Sequence, residues 1–161
     1  MTEIIDLWPD KIKVEKIITP FIILRQQATL LGKKTKNIIQ GKVYDLRLDS
    51  DLRSGFHYTF LIVVPALSDY QYKILDIIYG MSIYPVIINI EEDIWKDIPP
   101  RFYDQGARTT TRQIIAKSED EFIEILRAIF NSTKVMRIIS VLLSQSDPSY
   151  DPSLKEEEIQ Q

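Results

Sequence analysis

Ser68-Asp69-Tyr70-Gln71-Tyr72-Lys73-Ile74-Leu75-Asp76-Ile77-Ile78-Tyr79-Gly80-Met81 lies between two runs rich in β-branched residues, and its reading decides how the chain folds. Ser68 through Gln71 fits a capping box, in which a Ser and a Gln three residues on satisfy each other's free backbone amides. Leu67 can staple onto Tyr72, and Ile74, Ile77, Ile78 and Met81 recur at helical spacing, with Gly80 near the end. This pattern predicts a helix starting at Ser68. Upstream, Phe56, Tyr58, Phe60, Ile62 and Val64 alternate with other residues as in a strand, and Tyr84 to Ile90 reads as the next strand. Strand, helix, strand implies a βαβ crossover with Phe60–Val64 and Val86–Ile90 parallel.

Working outward, Thr19-Pro20 is a helix start, a Thr cap followed by Pro where a missing N–H costs nothing. Phe21, Leu24, Ala28 and Leu31 form one stripe of that helix, and Gly32 is placed to end it. Asn37 to Leu48 reads as a strand whose apolar phase shifts, from Ile39 and Val43 to Tyr44, Leu46 and Leu48. That shift predicts a bulge near Gly41–Tyr44. This strand and the one from Phe56 form an antiparallel hairpin. Toward the C-terminus, Glu91 to Arg108 lacks a regular pattern, and Thr109 to Ala116 reads as a short strand. Ser118-Glu119-Asp120-Glu121 is a second capping box, opening a helix with Phe122, Leu126, Ile129 and Phe130. Ser132 caps a last helix with Val135, Ile138, Ile139 and Leu142. The fold expected is α/β with an α+β tendency: residues 1–145 form a single domain, with a four-stranded mixed sheet packed by about four helices. Residues 146–161 read as an acidic, disordered tail.

Composition mostly subtracts. Of 161 residues 45% are hydrophobic and 27% charged, which suits a globular domain and excludes a disordered chain or a coiled-coil rod. Zero Cys excludes disulfide scaffolds, thiolate nucleophiles and iron–sulfur clusters, and a single His, His57, excludes a multi-histidine metal site. Five scattered Gly leave no phosphate-binding loop of the common types. The acidic opening of the chain is not that of a signal peptide, and no run is long enough to span a membrane, so a cytoplasmic protein without membrane association is expected. The net charge of −3 is uneven, with eight basic residues against Glu15 alone between Lys11 and Lys42. Those lysines read as solvated faces, and the overall acidity counts against nucleic acid as a partner. The first ten residues read as a short arm, with a turn at Trp8-Pro9.

Three functional readings survive. No catalytic set of the Ser-His-Asp kind is visible, and His57 reads as an ordinary strand histidine. The first reading, and the one preferred, is a non-catalytic interaction or regulatory module. Trp95, Phe102 and Tyr103, aromatic types that anchor interfaces, would bind an unidentified protein partner, with a homodimer through the last helix as a further possibility. The same aromatics could instead fold back as a lid on the sheet. The second reading is a metal-dependent, nuclease-like carboxylate enzyme using Asp45, Asp51 and Glu91 or Glu92. It lacks an acidic-x-Lys signature, since none of the twelve lysines has Asp or Glu two residues before it. The third is a small-anion sensor, in which Arg101, Arg108 and Arg112 with the Thr109–Thr111 hydroxyls grip a phosphate or carboxylate. No cofactor and no metal is expected.

Overall fold

The computed structural model describes residues 2–46, 55–104 and 113–146. An N-terminal arm leads into helix α1 (Pro20–Lys34). Five strands follow: β1 (Gln40–Asp45), β2 (Phe56–Val64), β3 (Tyr70–Tyr79), β4 (Val86–Ile90) and β5 (Gln113–Ala116). A short helix α2 (Glu92–Trp95) and a 3-10 turn at Pro100–Phe102 lie between β4 and β5, and α3 (Glu119–Phe130) and α4 (Thr133–Ser146) complete the fold.

The sheet runs in sequence order, β1-β2-β3-β4-β5, and every neighbouring pair is antiparallel. The α/β class expected from the sequence holds, but the four-stranded mixed sheet does not. The segment expected as a helix is strand β3, hydrogen-bonded to β2 on one side and β4 on the other. With β3 between them, β2 and β4 are no longer the parallel pair of a crossover. The physical reason begins at the turn. Ser68 and Asp69 both take positive φ, 55° and 57°, so they cannot be the cap and first residue of a right-handed helix. Two successive positive-φ residues instead match the turns that close tight hairpins. Beyond the turn, three Tyr and three Ile favour a pleated surface over a helix.

The helical spacing of Ile74, Ile77 and Ile78 has its own explanation. The β2–β3 register shifts between Phe60 and Leu61, leaving Ile74 as the extra residue on β3. Ile74 and Leu75 are therefore both buried, while Ile77 faces the core and Ile78 the opposite side. The irregularity lies here and not at Gly41–Tyr44, where β1 pairs with β2 without interruption. Tyr44 simply belongs to the second face of the sheet.

Three of the expected helices, α1, α3 and α4, start where the sequence places them, while α2 falls in the segment read as lacking a regular pattern. Thr19 caps α1, its side chain accepting from the amide of Ile22, and Ser118 caps α3 by accepting from Glu121. Gly32 does not end α1; the helix runs to Lys34, and Lys36 and Asn37 take the positive φ values that follow it. Ser132 starts α4, accepting from the amide of Val135, and Asp97 from the α2 region accepts from the amide of Thr133.

Cross-strand partners share a face, and the two faces differ. The row Tyr58, Ile77, Ile88, Ile114 is entirely buried and belongs to the core face. Helices α1, α3 and α4 lie against it, with Phe21 stacked on Tyr58 at 4.5 Å and Phe130 against Phe60 at 5.2 Å. Helix α1 sits over β1 and β2, and α3 over β5. At Gly41 the backbone of α1 comes so near that an added Cβ would stand 2.5 Å from Ala28 Cα, so only glycine fits.

Candidate functional site

Three places can carry chemistry: the aromatic segment after β4, the second face of the sheet, and the space between the helices on the first face.

The aromatic segment is folded inward. Phe102 is buried in the core. Trp95 and Tyr103 stack at 3.8 Å and 17°, and the Tyr103 hydroxyl reaches the carbonyl oxygens of Trp95 and Ile98 at 3.1 and 2.9 Å. Tyr103 also bridges to Ile114, fastening the segment to β5. Tyr103 thus spends its hydroxyl on closing this loop over the buried Ile94 and Ile98. Of the three arginines, Arg101 pairs with Glu124 of α3 and lies over the Phe102 ring at 4.6 Å. Arg108, Arg112 and the Thr109–Thr111 triplet fall outside the described residues, as does the 147–161 part of the expected tail.

The carboxylates are not brought together. Asp45 ends edge strand β1 and Glu91 follows β4, three strand spacings away, about 14 Å at ~4.8 Å each. Asp51 lies outside the described residues. The Glu91 carboxylate accepts from the Tyr72 hydroxyl, 2.9 and 3.1 Å from its two oxygens. Burial, and then this bond and the charge behind it, push the Tyr72 hydroxyl up to about 12. Among the described residues no group of three or more His, Cys, Asp or Glu could hold a metal ion.

The second face carries a polar row that spacing along the chain conceals. Tyr44, Thr59, Asp76, Asn89 and Gln113 stand side by side across all five strands, with His57 diagonal to Asp76. Thr59 is buried and donates to the Leu75 carbonyl at 3.1 Å, and Asp76 pairs with Lys73 at 3.1 Å. Both ring nitrogens of His57, Oδ1 of Asp76 and Oδ1 of Asn89 are shut from solvent without a hydrogen-bond partner among the described residues. Buried polar atoms left in this way cost ~1–3 kcal/mol each. Shut from solvent, these atoms also lack the access that acid–base work on a substrate requires.

A third place is a mainly apolar concavity. A groove of about 500 Å³ lies on the core face, its floor made by Phe60, Ile62 and Ile74 of the central strands. Its walls are α1, through Ile23, Leu30 and Leu31, and α3, through Ile123, Leu126 and Phe130; α4 contributes Val135, Met136 and Ile139. It lies between α1, which rests over β1 and β2, and α3, which rests over β5. Polar groups are confined to a few rim positions such as Gln26, Lys34, Glu119 and Arg127.

No family model, curated protein or solved structure matches the chain. The functional reading therefore rests on this chain's own geometry. Neither the groove nor the polar row is visible in residue spacing, because both depend on which strands and helices become neighbours. The arm was in part visible, and it opens at the groove. Ile18, the last apolar residue before the Thr19 cap, lines the groove itself. From there back to Thr2 every residue is exposed, including Leu7, Trp8, Ile12 and Val14. Among the described residues the arm's only hydrogen bond is its own, from the Trp8 amide to Asp6 Oδ1. No helix among the described residues is long and apolar enough to cross a membrane.

Proposed function

We propose that the protein is a non-catalytic interaction module that binds a protein partner through its N-terminal arm and the apolar groove beside it. The observation that carries the reading is the arm: eight large apolar side chains within residues 2–18 are about half exposed or more, Ile4 at 94% and Val14 at 83%. Isolated exposed apolar residues are ordinary, but a contiguous set of this size marks a surface that another molecule covers. Burying each such side chain is worth ~1.5–3 kcal/mol, so even a few of them supply useful affinity. The arm's charges argue for protein over an anionic membrane or nucleic acid, since four acids outnumber three lysines between Thr2 and Ile18. The absence of an assembled carboxylate site among the described residues favours the same class.

The test is photo-cross-linking in the native host. A benzophenone amino acid is placed in turn at Trp8, on the arm, and at Trp95, in the stacked aromatic pair. The reading expects a cross-linked protein species from position 8 and little from position 95. Cross-links confined to position 95 would return the binding surface to the aromatic segment. None from either position would overturn the interaction reading.

A further inference from the structure

We propose that the partner of the arm is a second copy of this chain: two protomers exchange arms, each laying its residues 4–14 along the other's groove. The proposal rests on the interaction reading above and names its partner. The groove needs an occupant, for it exposes apolar side chains along its walls and mouth, Leu30 on α1, Ile123 on α3 and Met136 on α4. The arm needs a site, and it is rooted at the groove through Ile18.

What decides between its own groove and a partner's is the chain between root and tip. To enter its own groove the arm would have to reverse direction beside Ile18. Beyond a bend at Asp10–Lys11, Ile12-Lys13-Val14-Glu15-Lys16-Ile17-Ile18 contains no Gly, Pro, Asn, Asp or Ser, and four of its seven residues are β-branched, so it holds an extended course and offers no turn. The nearest turn on the arm is at Trp8–Lys11, seven residues of extended chain away, about 23 Å at ~3.3 Å each. An arm that cannot turn back at its root projects away from its own groove. A two-fold related copy solves both needs at once, because an isologous pair gives each groove one arm and closes the assembly. Charge agrees at the tip: the outer part of the arm holds Glu3, Asp6 and Asp10 with no base, the inner part mixes Lys11, Lys13 and Lys16 with Glu15, and the groove rim carries Lys34 and Arg127 as well as Glu119. The two rim bases thus offer the acidic outer part of the arm an opposite charge.

The experiment is sedimentation velocity on the full chain over a concentration series, with two variants made at exposed positions so that the fold survives. Ile12→Asp with Val14→Asp disables the arm, and Ile123→Asp disables the groove; unchanged thermal melts of the diluted variants certify folding. The wild type is expected to be a dimer, and each variant to dissociate at least about tenfold more readily. An equimolar mixture of the two variants is expected to regain a dimer, because the arm of the groove variant and the groove of the arm variant are both intact. A wild type that stays monomeric at every concentration overturns the exchange. A dimer that survives either variant also overturns it, by placing the interface elsewhere, and so does a mixture that stays monomeric. An apolar small molecule copurifying in the groove, read by native mass spectrometry, does the same. If the wild type is monomeric while Trp8 still cross-links to another protein, the exchange fails and the interaction reading stands; if both are absent, both fail.

Discussion

The N-terminal arm and strand β3 are written in much the same alphabet, yet one lies bare and the other is the middle of the sheet. Residues 2–18 hold five Ile, and β3 holds Ile74, Leu75, Ile77 and Ile78 among its ten residues. What separates them is neighbours. β3 has a strand on each side, and its core face belongs to the buried cluster, so Leu75 and Ile77 lose all contact with water. Among the described residues no strand pairs with the arm. Composition therefore says that a segment will be buried against something, and topology says whether that something is the same molecule.

The sharpest way to break this comparison is to truncate both regions. Leu75→Ala should cost the monomer ~2–5 kcal/mol by urea denaturation, since the side chain is fully buried. Ile12→Ala with Val14→Ala should leave the stability of the dilute monomer within ~0.5 kcal/mol. Equal losses would mean that the arm packs on its own domain, contrary to its exposure. A smaller effect tests whether the aromatic segment belongs with β3 or with the arm. Tyr103→Phe removes the hydroxyl bonded to the Trp95 and Ile98 carbonyls, and ~1 kcal/mol of stability should go with it. No loss would release this segment to act as a binding surface.

How much of this was legible follows from where each signal resides. The caps of α1, α3 and α4 are local, made by Thr19, Ser118 and Ser132 with amides three residues on, and a sequence shows them directly. Ser118→Ala should cost ~1 kcal/mol in the same urea series. The capping box at Ser68 has the same letters and a different outcome. Its residues sit in a hairpin turn, because pairing β3 on both edges outweighs a four-residue preference for helix. The bulge at Ile74 then supplied a false helical period by burying two consecutive residues. The Tyr and Ile content was the better signal. The groove was not legible at all, since it lies between α1, which rests over β1 and β2, and α3, which rests over β5. The arm was legible to its turn at Pro9, but in the Lys-Ile-Lys-Val alternation beyond it the charges of Lys11 and Lys13 mask the apolar second face of Ile12 and Val14.

The smallest expected effect is a pH dependence confined to the domain. Burial comes first among the causes that raise Tyr72 and Tyr84 from 10.0 to about 12; the Glu91 hydrogen bond adds to it at Tyr72, and the charge of Glu119 at Tyr84. Between pH 10 and 12 the unfolded chain gives up these protons while the native one keeps them. The native state then binds more protons, and its stability falls as pH rises through that interval. Urea midpoints measured across it should decline for the wild type, and less steeply for Tyr72→Phe. A flat profile would contradict the burial of these hydroxyls.

The most direct test of the central claim is amide hydrogen exchange read by mass spectrometry at several protein concentrations. The account predicts that β3 is protected equally at all of them, while protection of residues 4–14 rises with concentration as arms enter partner grooves. Arm amides that exchange at the rate of a free peptide at every concentration would contradict it.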